Sequence, residues 1–300
     1  AALLAPWASQ PRRAFKYRYF YAEARAIEGG LPPAATLRAK LNGEGGGPAV
    51  AASLVDPIVF VHGVGIGPIS YVQFIRELQA LGRPCFVLEL PFVAQRIDQA
   101  TPREEEWVQS VREMLASRGY GRATFVGHSL GTAFMGYIVR NAPELMSGAV
   151  FIDPVCFLMH HPQITSEMVF RTASSPLEFI EDFLVRGELF TSLYLQRGMW
   201  WYRANLWLQD LPADMPTCVV LSTQDSIVPA RALEQYFGTQ RARARVQTLT
   251  LKDAAHGGFL LDTSARARIV AAVGAATRAG AEGSRWTEGL ARTLSTVNAA

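Results

Sequence analysis

Cysteine is scarce in this 300-residue chain: Cys85, Cys156 and Cys218 are the three, each within an apolar segment. An odd number argues against a disulfide framework, and no CxxC or CxxH spacing suggests a cysteine-based metal site. We therefore expect three reduced, buried thiols, as in an intracellular protein, and no bound metal. A dinucleotide cofactor is not expected either, because the glycine-rich stretch "HGVGIGP" (62–68) has a proline where a helix should open.

Long runs of positive charge and long apolar runs are also missing. The formal net charge is +3, and the arginine-rich piece "RARAR" (241–245) is short, so we expect no nucleic-acid partner. No uninterrupted apolar run of about 18 residues predicts a membrane-spanning helix. The first fifteen residues have an apolar stretch too short for a secretory signal, and their arginine pair follows it. Whether a transit segment or an anchor precedes residue 1 stays open.

What is present is an alternation of strand-like and helix-like segments. Residues 1–55 are interpreted as an N-terminal arm and linker. In it, the aromatic-rich stretch 15–28 is either a packing arm or a helix, and the glycine cluster 42–48 is a connector. Strands are predicted at 57–62, 85–90, 122–128, 148–153, 217–223 and 245–251. Helices are predicted at 70–82, from Thr101 as N-cap, from Leu130, from Pro229, and after His256.

These strands are apolar on both faces and are separated by helices, which predicts an α/β fold. Its mostly parallel sheet would be covered by helices on both faces. The core is assigned to 56–153 and 213–278, with a tail at 279–300. Between them, the long aromatic segment 154–212 interrupts the alternation. We interpret it as a helical cap over the strand ends, where open α/β sheets bind ligands.

The sequence "GHSLG" (127–131) lies where a buried strand gives way to a helix. It fits the G-x-S-x-G pattern in its required strand–turn–helix context. Gly127 and Gly131 would permit a sharp turn that exposes the Ser129 hydroxyl, and the helix behind it offers free N–H groups. A plain turn is the alternative, but the context favours Ser129 as a nucleophile.

A serine needs a base, and a base needs an orienting acid. His256 and Asp225 each follow a predicted strand, and the chain order Ser129, Asp225, His256 fits this architecture. Asp153, at the end of the strand after the nucleophile helix, is the competing acid, or else a residue at the hinge of the cap. The remaining histidines, His62, His128, His160 and His161, are expected to have structural or solvated roles.

An oxyanion formed during acyl transfer requires aimed N–H donors. Leu130, directly after the nucleophile, is expected to supply one. Val64, in the loop after the first strong strand, is expected to supply the second, with His62 and Gly63 as supporting residues.

Taken together, the His62–Gly63 loop, the Gly-His-Ser-Leu-Gly motif, Asp225 and His256 resemble the α/β-hydrolase superfamily over about 56–278. The resemblance implies a serine hydrolase mechanism: Ser129 attacks an ester carbonyl, His256 transfers the protons, and water releases the acid from an acyl-enzyme. An acyltransferase with the same three residues, and a non-catalytic ligand-binding protein on the same fold, are the alternatives.

The substrate is expected to be a small apolar ester, and a lipid-like ester is the variant considered. Aromatic residues are abundant in 154–212, and an excess over packing needs would favour an apolar group. Tryptophan, tyrosine and arginine in that segment also suit a membrane surface, so peripheral membrane contact is a further hypothesis.

Overall fold

The computed structural model describes residues 12–14, 17–23, 55–97, 101, 103–173, 179, 187–240 and 246–282. Eight strands are found in this part of the chain. They are β1 (Arg12–Ala14), β2 (Tyr17–Ala22), β3 (Ile58–Val61), β4 (Cys85–Leu88), β5 (Ala123–His128), β6 (Met146–Ile152), β7 (Thr217–Ser222) and β8 (Val246–Leu251). The six predicted strands are confirmed.

The α-helices of the described residues alternate with these strands. They are α1 (Val72–Gln79), α2 (Glu104–Ala116), α3 (Leu130–Asn141), α4 (Pro162–Thr165), α5 (Leu189–Leu193), α6 (Trp201–Ala204), α7 (Ala230–Gln240) and α8 (Thr263–Glu282). Short 3₁₀ turns occupy Gly67–Tyr71, Pro91–Val93, Pro143–Leu145, Leu208–Asp210 and Gly258–Leu260. None of the described helices is both long and apolar enough to cross a bilayer.

The strands form one sheet in the order β1-β2-β4-β3-β5-β6-β7-β8. Strands β3 to β8 are parallel, and β1 and β2 are antiparallel additions at the β4 edge. The register places Val61 beside Gly127 and His128 beside Ile152. The carboxyl ends of the central strands therefore meet at one edge of the sheet.

Two apolar cores, one on each face of the sheet, explain why every position of β3 and β4 is hydrophobic. Ile58 and Phe60 belong to the core with α1 and α8, whereas Val59 and Val61 belong to the core with α2 and α3. Successive strand side chains point to opposite faces, so a strand covered on both sides has no position left for a solvated residue. The predicted α/β class is confirmed.

The N-terminal aromatic segment is a strand, and the helix considered for it is wrong. Residues Tyr17–Ala22 pair antiparallel with β4, and Tyr17, Tyr19 and Tyr21 are buried. Their period of two fits a strand with one face on the core. Residues that we assigned to an arm outside the core thus extend its sheet. The glycine connector 42–48 and the 241–245 stretch lie outside the described residues.

One helix boundary differs from expectation. Helix α2 begins at Glu104 with Arg103 as N-cap, so the predicted cap at Thr101 is wrong, although the first turn does carry Glu104, Glu105 and Glu106. These carboxylates lie at the positive end of the helix dipole and stabilise the start of the helix, although no side chain caps it. The helix predicted after His256 is present as α8, Thr263–Glu282.

The segment between β6 and β7 consists, where described, of short helical pieces. Besides α4, α5 and α6 it contains π-helical turns at Ser166–Phe170 and Tyr194–Gly198. Tyr194 packs on Phe92 at 4.6 Å between ring centroids, and Gln163 Nε2 donates to Ser226 O at 2.8 Å. The segment thus contacts loops that follow two strands of the core, β4 and β7.

Candidate active site

Ser129 lies at the sharp turn between β5 and α3. Its backbone is left-handed, with φ 52° and ψ −121°, a conformation that costs a non-glycine residue energy. The turn is held by its neighbours: Ser129 N–H donates to Ile152 O at 3.0 Å, and Thr132 Oγ1 donates to Ser129 O at 2.6 Å. The serine is thereby fixed at the carboxyl edge of the sheet, in front of a helix N-terminus.

Close packing around this turn requires glycine. A Cβ on Gly131 would meet the carbonyl oxygen of Val61 and lie 2.8 Å from that of His62. A Cβ on Gly63 would lie 2.9 Å from the Ser129 Cβ. Backbone oxygen atoms of β3 cannot move aside, so the helix can approach the strand this closely only without a side chain.

A continuous hydrogen-bond chain leads away from the serine. His256 Nε2 lies 2.8 Å from Ser129 Oγ, and His256 Nδ1 lies 2.7 Å from Asp225 Oδ2. The second oxygen of Asp225 accepts from the N–H groups of Ile227 and Val228, both at 2.8 Å. A carboxylate that is held in this way can keep the imidazole proton on Nδ1 and leave Nε2 free to accept.

Electrostatics at His256 favour its cation. Burial alone would lower the pKa of His256, but the Asp225 carboxylate, its hydrogen bond and the charge of Asp153 together raise the pKa above its usual value. The side chain of Asp225 is fully buried and that of His256 is 16% exposed, so solvent screens this interaction little.

Two N–H groups near the serine are free to donate. In the loop after β3, Gly63 N–H donates to Tyr71 Oη at 3.1 Å and Gly65 N–H to Val93 O at 3.1 Å. Within the described residues, the Val64 N–H between them has no acceptor, and neither has that of Leu130, which opens α3. Such groups can stabilise an anion at the serine.

His62 joins two loops. Its Nδ1 lies 2.6 Å from Gly63 O, and its Nε2 accepts from Leu90 N–H at 2.9 Å. Burial lowers the pKa of His62 to about 4. The ring is therefore neutral and tethers the loop that carries Val64.

The other histidines lie apart from this chain of hydrogen bonds. His160 stacks on Trp207, with 5.5 Å between ring centroids, and His161 Nδ1 accepts from Gln163 N–H at 3.4 Å. His128 is buried in the turn, and its Nδ1 lies 2.7 Å from Tyr71 Oη. Tyr71 and Thr132 are contributors that sequence reasoning missed, because neither belongs to a motif with a recognisable spacing.

Asp153 is not bonded to His256, but it lies close by. Its Oδ1 accepts from Ser222 N–H at 3.1 Å and its Oδ2 from Gly257 N–H at 2.9 Å. Atoms of Asp153, Asp225 and His256 lie within 4.8 Å of one another, a set that could in principle bind a metal ion. A metal would have to displace these N–H donors or break the His256 bonds to Asp225 and Ser129.

Comparison with known proteins identifies the family. The model of the alpha/beta hydrolase family matches residues 58–272. The chain belongs to this family. A protein of Mycobacterium phage D29 described as a non-heme haloperoxidase is 22% identical over 246 residues, covering 72% of this chain and 86% of that protein.

Solved structures of several other proteins have the same fold as this chain. A meta-cleavage product hydrolase superposes with a TM-score of 0.60 at 12% identity, covering 89% of this chain and 98% of that chain. Naproxen esterase from Bacillus subtilis gives a TM-score of 0.53 at 10% identity, covering 87% and 90%. A Bacillus subtilis carboxylesterase gives 0.52 at 13% identity, covering 87% and 89%. At these identities the likeness shows the fold.

Proposed function

We propose that this hydrolase cleaves a carboxylic ester through an acyl-enzyme on Ser129. The observation that carries the proposal is the chain from Ser129 Oγ to His256 Nε2 at 2.8 Å and from His256 Nδ1 to Asp225 Oδ2 at 2.7 Å. A nucleophile, a base within reach of its proton and a carboxylate that orients the base are the parts such catalysis needs.

In the proposed mechanism, His256 Nε2 takes the hydroxyl proton as Ser129 Oγ attacks the ester carbonyl. The imidazolium is stabilised by Asp225, and the oxyanion accepts hydrogen bonds from the Val64 and Leu130 N–H groups. Collapse breaks the bond to the leaving alkoxide, which takes the proton from His256 and departs as the alcohol. Water, deprotonated by His256, then attacks the acyl-enzyme, and proton return frees Ser129 and the acid.

An apolar ester suits the surroundings of the serine. Val64 and Ile227, which flank the site, pack against the core that also holds residues of the 154–212 segment. Two of the structural relatives are named as esterases acting on carboxylic esters, which is consistent with this reading. The segment 154–212 is proposed as the cap that selects the substrate, since it contacts loops on both sides of Ser129.

A fluorophosphonate probe tests the proposal directly. Incubation should give one covalent adduct per chain, located by mass spectrometry on the peptide containing Ser129, and should abolish hydrolysis of nitrophenyl esters. Ser129→Ala should be neither labelled nor active, whereas Ser166→Ala, at an exposed serine, should match the wild type. An adduct elsewhere with Ser129 unmodified would refute the assignment.

Product analysis separates hydrolysis from acyl transfer, which shares the same acyl-enzyme. With an ester substrate and excess alcohol, a hydrolase should release mainly the free acid. A new ester as the main product would instead assign the protein as an acyltransferase. Absence of both labelling and turnover would favour a non-catalytic binding protein.

A further inference from the structure

A second carboxylate, Asp153, lies beneath the base and has no part in the mechanism above. It follows the last residue of β6, is fully buried, and has a left-handed backbone with φ 44°. A buried charge in a strained conformation is costly unless surrounding groups compensate for both. Hydrogen bonds from neighbouring backbone N–H groups provide this compensation.

Both oxygens of Asp153 bind the two loops that carry the acid and the base. Ser222, whose N–H donates to Oδ1, ends the strand that leads to Asp225. Gly257, whose N–H donates to Oδ2, is the residue directly after His256. One side chain thus fixes the start of one loop and the centre of the other.

The same carboxylate is linked to the oxyanion loop. Gly63 N–H donates to Tyr71 Oη, so the Tyr71 hydroxyl can donate to His128 Nδ1 at 2.7 Å. The remaining His128 proton then lies on Nε2, which faces Asp153 Oδ2 at 3.8 Å. Burial lowers the pKa of His128, in keeping with a neutral ring.

The charge of Asp153 is retained despite its burial. Burial alone would raise the pKa of Asp153, but His128, the charge of His256 and the Gly257 N–H together hold it below its usual value. The groups facing His256 are then Asp225 from the loop after β7, Asp153 from the end of β6, and the His128 ring from the end of β5, at 5.2 Å between centroids.

We propose that Asp153 is a positioning residue of this site: a second buried carboxylate that aligns the loops of Asp225 and His256 and stabilises the His256 imidazolium through space. It works through His256 and touches no substrate. This inference rests on the proposed hydrolase function, but one of its tests does not.

The first test follows the His256 ring by NMR titration in the wild type and in Asp153→Asn, which needs no substrate. Removing the nearby negative charge should make His256 lose its proton at lower pH than in the wild type. Asp214→Asn makes the same chemical change at an exposed loop residue and should leave the titration unchanged. An unchanged His256 titration in folded Asp153→Asn would overturn the proposal.

The second test measures the pH dependence of Ser129 phosphonylation. In Asp153→Asn the maximal rate should fall about tenfold, while the ratio of the rate at pH 5 to that at pH 8 should rise about threefold or more, because more imidazole is neutral at low pH. A uniform fall at every pH would assign Asp153 a structural role only. If the wild type is not labelled at all, the hydrolase proposal fails. The NMR titration alone then decides whether Asp153 is a positioning residue for His256.

Folding of the variants is checked by circular dichroism. Should Asp153→Asn not fold, Asp153→Ser replaces it, since it removes the charge with less volume in the same buried space. The titration must move in the same direction. If neither variant folds, Asp153 is a residue of the folding core, and the proposal is wrong.

Discussion

At the scale of single residues, the hydrogen bond between Asp225 and His256 predicts the pH profile. The proposed ester hydrolysis needs neutral His256, and the pKa of this histidine is raised. Activity should therefore be lost as the pH falls through that raised value. The midpoint of kcat/KM on the acid side should lie above the ordinary histidine value of about 6.5. A midpoint clearly below 6.5 would contradict this account.

Replacing Asp225, the proposed acid, should be far more damaging to turnover than replacing Asp153. Asp225→Asn is expected to lower kcat by about three to four orders of magnitude, because the amide favours the wrong tautomer of His256. Asp153→Asn should cost much less. Steady-state kinetics on folded variants would measure both, and the reverse ranking would transfer the acid role to Asp153.

Gly131 tests the close approach of α3 to β3. Gly131→Ala should lower the free energy of unfolding by about 2 kcal/mol or more, because its Cβ would collide with fixed carbonyl oxygens. Gly238→Ala is the matched control: that glycine is an exposed residue of α7 with open space around its Cβ position. It should gain about 0.5–1 kcal/mol from better helix propensity. Urea denaturation measures both, and equal effects would refute the steric argument.

At the scale of elements, two cavities are lined in part by the segment between β6 and β7. One, of about 470 Å³, is lined by Arg103, Glu104, Trp200 and Arg203 among others. The other, of about 490 Å³, includes Met168, Val169 and Leu195 in its lining. Neither lining includes Ser129, Asp225 or His256. We expect the second cavity to receive the acyl chain, because its lining contains the apolar side chains of Met168, Val169 and Leu195.

Filling this second cavity should change chain-length preference. Val169→Trp is expected to lower kcat/KM for long-chain nitrophenyl esters about tenfold while leaving acetate esters nearly unchanged, since the lost space matters only to a long chain. Tyr202→Trp, at a residue that is 70% exposed in the same segment, is the control. Equal losses at all chain lengths would place the acyl pocket in the core domain instead.

At the scale of the whole molecule, β2 joins the N-terminal segment to the sheet at β4. Tyr21 is buried, packs on Phe86 at 4.7 Å between ring centroids, and lies beneath the Arg118 guanidinium at 4.1 Å. Tyr21→Ala should therefore lower the free energy of unfolding by about 3 kcal/mol, while kcat stays near that of the wild type because the site lies at other strands. The exposed Tyr202→Ala should change neither. Urea denaturation with kinetics in parallel would check this, and an unchanged stability would show that β2 is dispensable.

The three cysteines lie in the apolar interior of the fold. Cys85, Cys156 and Cys218 are free and buried, as predicted. Burial raises the pKa of the Cys85 and Cys218 thiols to about 12, and also raises that of Cys156. Thiols in this state are poor nucleophiles, so they contribute packing to the sheet rather than chemistry.

The strand–helix order and the candidate triad were both readable from the chain alone. Apolar runs mark strands buried on both faces, and "GHSLG" between a strand and a helix restricts where a serine can be exposed. Asp225 and His256 followed from their places after strands, because parallel strands bring their carboxyl ends to one edge. These patterns are local: they depend on residues close together in the chain, so the sequence alone is enough to recognise them.

Only the tertiary structure decided what depends on neighbours far apart in the chain. From the sequence alone, the tyrosines of β2 fitted an arm or a helix equally well. Pairing with β4, which is distant in the chain, makes the segment a strand. The buried contacts of Asp153 with Ser222 and Gly257, and the contact between Tyr71 and His128, involve five separate segments with no shared motif. The sequence pattern of a carboxylate after a strand is the same for a residue that hydrogen-bonds to the base and for one that only positions the base. What separates the two roles is which hydrogen-bond donors the fold brings within about 3 Å.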